Sequence, residues 1–207
     1  MIIIPNFAVL EGGDGSGTTT QLSILCDRLK EKKTPFYPTC EPTSGNIGRL
    51  IRDALKGENP LKPETLAMLF AAVRNEHING PEGILAHANR GEFVISDRYL
   101  LSSLVYQGIE CGDELPIKLN KDFPAPEVTI FLDIDPKIAI ERMKGRERIE
   151  IYEYVEFQEK VRDKYNSAAS AYRSQGAKVE IIDASAKIEE VASQVWSIIS
   201  QMPILKA

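Results

Sequence analysis

EGGDGSGTTTQ, residues 11–21, meets every position but one of the pattern G-x-x-x-x-G-K-[ST] that cradles nucleotide phosphates. Gly12 and Gly17 take the two fixed glycine places and Thr19 the closing hydroxyl, while Thr18 stands where the pattern has lysine. Gly12, Gly15 and Gly17 let the backbone turn so that successive N–H groups point at a phosphate. The positive end of a following helix adds to that field. The candidate phosphate-binding residues are therefore Gly12, Gly13, Asp14, Gly15, Ser16, Gly17, Thr18, Thr19 and Thr20. Among them the Thr19 hydroxyl is placed to ligate Mg2+. The same glycines would also serve a plain turn between a strand and a helix.

A second cluster, ISDRYLLSSLVYQG at residues 95–108, puts Asp97 and Arg98 directly after an apolar run. Open α/β sheets bind ligands at the carboxyl ends of their strands, where such an Asp can hold Mg2+ or its waters. The neighbouring Arg can grip a phosphate bidentately. A helix cap at Asp97 beside a solvated Arg98 would use the same two residues. A third cluster places Arg142, Lys144, Arg146 and Arg148 close together, a source of positive charge for a phosphoryl group in transfer. Glu141, Glu147 and Glu150 are interleaved with them, so a solvated charged face competes with that use.

The elements that must position these clusters alternate along the chain. Apolar runs predict strands at 7–10, 35–39, 92–96, 128–134 and 179–182. Helical spacing predicts helices over 18–32, 46–56, 63–79, 81–90, 99–108, 114–121, 136–144, 153–175 and 187–200. Alternation of this kind indicates a three-layer α/β fold, a parallel sheet with helices on both faces. The connections are short and offer no boundary, so residues 1–207 are expected to form a single domain.

The chain has 207 residues, 43% hydrophobic and 27% charged, close to an ordinary soluble globular protein. A net charge of −5 argues against a general nucleic-acid or membrane-surface binder, without excluding small anions met by local arginines. Cys26, Cys40 and Cys111 are odd in number and widely spaced, which fits a reducing compartment better than a disulfide framework. The run Met1–Ile4 is broken by Pro5 and Asn6, and no stretch approaches the roughly 18 apolar residues of a membrane helix. A cytoplasmic protein is the expectation.

Five stretches, in order, resemble the thymidylate kinase family of P-loop nucleoside-monophosphate kinases. FAVLEGGDGSG is similar to its first strand and phosphate loop, EPTSGNIGRLIR (41–52) to its Glu-Pro segment, and LFAAVRNEH (69–77) to its base-binding helix. ISDRYLLSSLVYQG resembles its Asp-Arg-Tyr signature, and FLDIDPKIAIERMKGRERIE (131–150) its strand, helix and lid, the lid falling at about 143–153. The resemblance implies a P-loop NTPase fold with a five-stranded parallel sheet, the reaction ATP + dTMP ⇌ ADP + dTDP with Mg2+, and a homodimer. It implies small-molecule nucleotides as partners, with neither nucleic acid nor membrane. On the ATP side it gives the loop residues, Arg142 against the adenine, and Ala184 within IDAS (182–185) beside it.

For dTMP the resemblance implies Asp14 at the sugar 3′-hydroxyl and Arg52 and Arg98 at the acceptor phosphate. Glu41 and Pro42 form a segment that the family often builds with a cis peptide. Phe70 would stack on thymine, Arg74 would bond its edge, Ser103 and Gln107 would lie near the base, and Tyr106 would exclude a ribose 2′-hydroxyl. On spacing alone, Phe70 could equally pack among Leu66, Leu69 and Val73, and Arg74 with Glu76 could be a solvated face. Thr19 and Asp97 would hold the metal, and Arg98, Arg146 and Arg148 would act catalytically.

Two positions depart from the family and both lose a cation: Thr18 for the loop lysine, and Cys40 for the arginine usual before Glu-Pro. Losing one well-placed donor typically costs about 10²- to 10³-fold in rate. Asp14, Gly15 and Ser16 include no base, so the chain resembles the kinases whose catalytic arginine sits in the lid. Arg146 or Arg148, with Arg98 and Mg2+, would then cover for the missing lysine. A catalytically impaired nucleotide-binding protein, or a kinase for another deoxynucleoside monophosphate, are the alternatives.

Overall fold

The computed structural model describes residues 1–143 and 151–206. In chain order the elements are β1 (Ile3–Glu11), α1 (Thr18–Glu31), β2 (Phe36–Cys40), α2 (Asn46–Leu55), α3 (Pro63–Asn79), α4 (Ile84–Asn89), β3 (Phe93–Asp97) and α5 (Leu100–Cys111). They continue as α6 (Glu114–Asn120), β4 (Ala125–Asp133), α7 (Pro136–Met143), α8 (Ile151–Ser174), β5 (Val179–Asp183) and α9 (Ile188–Ile199), with a 3-10 turn at Pro203–Leu205. The strands form one sheet in the order β2-β3-β1-β4-β5, and every neighbouring pair is parallel. This is the α/β class expected from the alternation. Among the described residues, no helix is long and apolar enough to cross a membrane.

β1, at the centre, is buried on both faces. Ala8 and Leu10 pack with Leu25, Leu29, Ile130, Val191 and Val195 on one side of the sheet. Phe7 and Val9 pack with Ile78, Ile84, Val94 and Leu100 on the other. An unbroken apolar run is what two covered faces require. Parallel register then decides where chemistry can sit. Leu10 pairs with Asp97, and Cys40 pairs with Asp97 from the other side, so three strands end level. The pairing runs one step further, with Arg98 N–H donating to Leu10 O at 2.8 Å and Glu41 N–H to Asp97 O at 3.1 Å.

β1 begins four residues before the apolar run 7–10 that announces it. Pro5 and Asn6 are accommodated by a break in register between Ile4 and Ala8, with Asn6 at φ 61 and its N–H donating to Glu127 Oε2 at 2.8 Å. Pro and a left-handed residue are permitted in a central strand only at such an irregularity. The helix expected over 81–90 is shorter, because Pro81 and Gly83 hold its start to Ile84. Leu10→Ala should lower stability by about 2–5 kcal/mol, read as a lower urea midpoint with an unchanged slope.

Candidate active site

The loop from Gly12 to Gly17 joins the central strand to α1. Gly15 has φ +80 and a Cβ there would stand 2.6 Å from Ala139 O, so both conformation and space require glycine. Gly17 is left-handed (φ 93) and N-caps α1, which has no side-chain cap. The first N–H groups of α1 are thus left for a ligand. Thr18 is buried at the first helical position and contributes no charge. Together with Thr19, Thr20, Arg98, Arg142 and Ala184, these residues line a cavity of about 600 Å³.

Thr19 Oγ1 donates to Asp97 Oδ2 at 2.5 Å, while Asp97 Oδ1 is buried without a partner among the described residues. Two hard oxygens, one of them unsatisfied, fit a small divalent cation. The next residue, Arg98, sits at φ 68 and its Nη2 donates to Asp14 Oδ1 at 2.7 Å. Its guanidinium carbon stands 5.3 Å from the centre of the Tyr106 ring. Its pKa is raised further above the ordinary value, burial working against this and Tyr106, Tyr165 and Asp14 for it, so Arg98 is a fixed cation.

On the β2 side, the Glu41–Pro42 peptide is cis. Arg52 donates from Nη1 to Thr43 O at 2.7 Å and from Nη2 to Pro42 O at 2.5 Å. Arg74 is fully buried, and its guanidinium donates to Glu41, Asn120, Tyr99 O and Ser103. Glu41, expected in the segment beside dTMP, faces protein groups. It is buried, with Oε2 taken by Arg74 and Oε1 by His77 Nδ1 at 3.0 Å, so it supports the site from beneath. Phe70 packs partly against Ile51, Leu66 and Val73, and remains partly exposed. On α5, Ser103 and Gln107 are buried, and Gln107 Oε1 has no partner among the described residues.

At the far end of the cavity, Arg142 donates from Nη1 to Ala184 O at 2.9 Å and from Nη2 to Ala186 O at 3.4 Å. Arg146 and Arg148 lie outside the described residues, as does most of the expected lid. Sequence reasoning missed Glu11, His77, Asn120 and Tyr165, which hold the site from below. Glu11 was legible as the one charged residue closing an apolar strand; the other three carry no local signal. Cys40 remains neutral, since burial pushes its thiol up against the pull of Arg52. Gly15→Ala should weaken ATP binding at least about tenfold with the helical circular dichroism unchanged, given a left-handed penalty of about 1–2 kcal/mol. Calorimetric titration reads this, and unchanged affinity would show that the loop does not hold the phosphates.

Comparison with known proteins agrees with this geometry. The family model described as Thymidylate kinase matches residues 10–195. Three relatives whose names include thymidylate kinase match over long stretches. A Treponema pallidum (strain Nichols) protein is 41% identical over 198 residues, covering 94% of this chain and 95% of that protein. One from Pyrobaculum aerophilum is 43% identical, covering 95% of this chain and 97% of its own length. One from Methanococcus vannielii is 42% identical, covering 79% and 77%. With the glycine loop and the Asp97–Arg98 pair set at the carboxyl ends of neighbouring strands, and with these matches, the chain belongs to the thymidylate kinase family.

Proposed function

We propose that this protein transfers the γ-phosphoryl group of ATP to dTMP, yielding ADP and dTDP, with Mg2+ held at Thr19 and Asp97. The observation that carries the proposal is the Asp14–Arg98 contact at 2.7 Å, because it joins two half-sites. On one side lie the loop N–H groups, Arg142 and Ala184, suited to a nucleoside triphosphate. On the other, Arg74 holds Ser103 and Arg98 faces Tyr106, and with Arg52, Phe70 and Gln107 these side chains would suit a nucleoside monophosphate. A bound Mg2+ would offset charge on the triphosphate oxygens.

An oxygen of the dTMP phosphate is already anionic, so attack on the γ-phosphorus needs no general base. The new P–O bond forms as the bond to the β,γ-bridging oxygen breaks, and ADP leaves with that electron pair. Arg98 would hold the acceptor phosphate in line, which is the main protein contribution in such transfers. Gln107 Oε1, buried and unsatisfied, is an acceptor of the kind that thymine N3–H needs. Among the described residues Arg74 commits most of its hydrogens to protein acceptors, and one on Nη1 that takes no part in these bonds would meet the base edge. The homodimer belongs to the same proposal, since α2 and α3 leave Leu50, Leu55 and Met68 exposed for a second copy to cover.

Thr18 supplies no cation, and this favours a second reading, a protein that binds nucleotide and turns it over too slowly to matter. ADP release with dTMP, dUMP, dCMP and dGMP in turn separates the readings. Turnover is expected with dTMP; none with any acceptor, alongside ATP binding, would favour the binding protein. In the kinase reading Arg146 or Arg148 stands in for lysine. Arg146→Gln and Arg148→Gln, made singly, should include one variant whose kcat falls about 10²- to 10³-fold, and near-normal turnover in both would remove the lid arginines from the mechanism.

A further inference from the structure

Glu11 ends β1 one residue before the phosphate loop, and the proposed transfer gives it no part. It is 1% exposed, yet its carboxylate is fully engaged. Oε1 accepts from Tyr99 N–H at 3.0 Å and Ser102 N–H at 3.3 Å, two donors at the start of α5, a helix with no side-chain cap of its own. Oε2 accepts from Ser102 Oγ at 2.6 Å and from Tyr165 Oη at 3.2 Å. Two backbone N–H groups on Oε1 and two hydroxyls on Oε2 suit an ionised carboxylate, which accepts from all four.

The two hydroxyls lead on to Arg98. Ser102 gives its hydrogen to Glu11; Tyr165 gives its own to Glu11 directly, or to Ser102 Oγ at 2.8 Å. Either way both hydrogens run toward the carboxylate, and oxygen lone pairs are left for Arg98 Nη1, which stands 3.5 Å from each. The other end of the same guanidinium is fixed by Asp14. Its backbone is held at both sides, by Leu10 O on Arg98 N–H and by Ser96 Oγ on Arg98 O at 2.7 Å. Glu11 thus determines the polarity of the hydroxyl pair, and that polarity determines whether the pair attracts or repels Arg98.

The geometry points to Glu11 as a positioning residue for the acceptor phosphate, acting through Ser102 and Tyr165 to set Arg98 before dTMP arrives. The inference rests on the acceptor role proposed for Arg98. Burial pushes the Glu11 carboxyl up, and the Ser102 hydroxyl and the Arg98 charge oppose that push, so the relay also tempers the penalty of burying the carboxylate. Glutamine cannot replace it. Turned one way its NH2 meets the two backbone N–H groups; turned the other way the two hydroxyls must accept from it and turn their hydrogens toward Arg98.

A double-mutant cycle read by calorimetry tests this. Glu11→Gln should weaken dTMP binding about 10- to 100-fold while ATP affinity stays within about twofold. In the Arg98→Ala background the same substitution should change dTMP binding little, because the residue it acts through is gone. Effects that simply multiply, or an equal loss of ATP and dTMP, would overturn the proposal and leave a structural strut beneath the loop. Should Glu11→Gln fail to fold, Tyr165→Phe with Ser102→Ala takes its place in the same cycle, since both leave the carboxylate on the α5 N–H groups. Wild-type protein that binds ATP but no dTMP would overturn the acceptor reading itself, and this inference with it.

Discussion

The level ending of β2, β3 and β1 is the constraint on which the remaining structure depends. In a parallel sheet every strand delivers its carboxyl end to the same edge, and register alone decides whether neighbouring ends meet or miss. Here Leu10, Asp97 and Cys40 are in register, and backbone bonds carry the pairing to Arg98 and Glu41. The Asp97 carboxylate, the Arg98 guanidinium, the glycine loop and the buried Glu41 are thereby brought together from segments far apart in the chain, with no loop longer than the glycine turn between β1 and α1 required to aim them.

The support beneath the pocket is charged, and this has an energetic meaning. Arg74, Glu41 and His77 form a buried chain that Thr39 extends at 2.7 Å from His77 Nε2. Breaking a buried pair on one side typically costs about 3–5 kcal/mol, whereas replacing all members by apolar groups is often neutral. Such a chain is therefore poorly explained as a source of stability. It is well explained as a way to hold Ser103 and the Glu41–Pro42 segment in one arrangement, since each polar atom admits few partners and few geometries.

The glycine loop between β1 and α1, the α/β alternation and the place of Asp97–Arg98 at a strand end were legible because each rests on local spacing: glycines at fixed intervals, apolar runs, and a charged pair closing a strand. The start of β1 was not, because Pro5 and Asn6 read as a break when only a pairing irregularity exists. The Glu-Pro motif placed Glu41 near the site, but a motif cannot report that its carboxylate is taken by Arg74 and His77. Arg74 illustrates the general limit. Its partners Glu41, Ser103 and Asn120 lie 33, 29 and 46 residues away, and no local pattern encodes such closures.

Arg98 shows two demands opposed at one position. Its backbone lies at φ 68, a region in which a residue with a Cβ is disfavoured and glycine is at ease. Its side chain is the guanidinium on which both half-sites converge. Arginine there carries a backbone cost of about 1–3 kcal/mol at the very point where its charge meets Asp14.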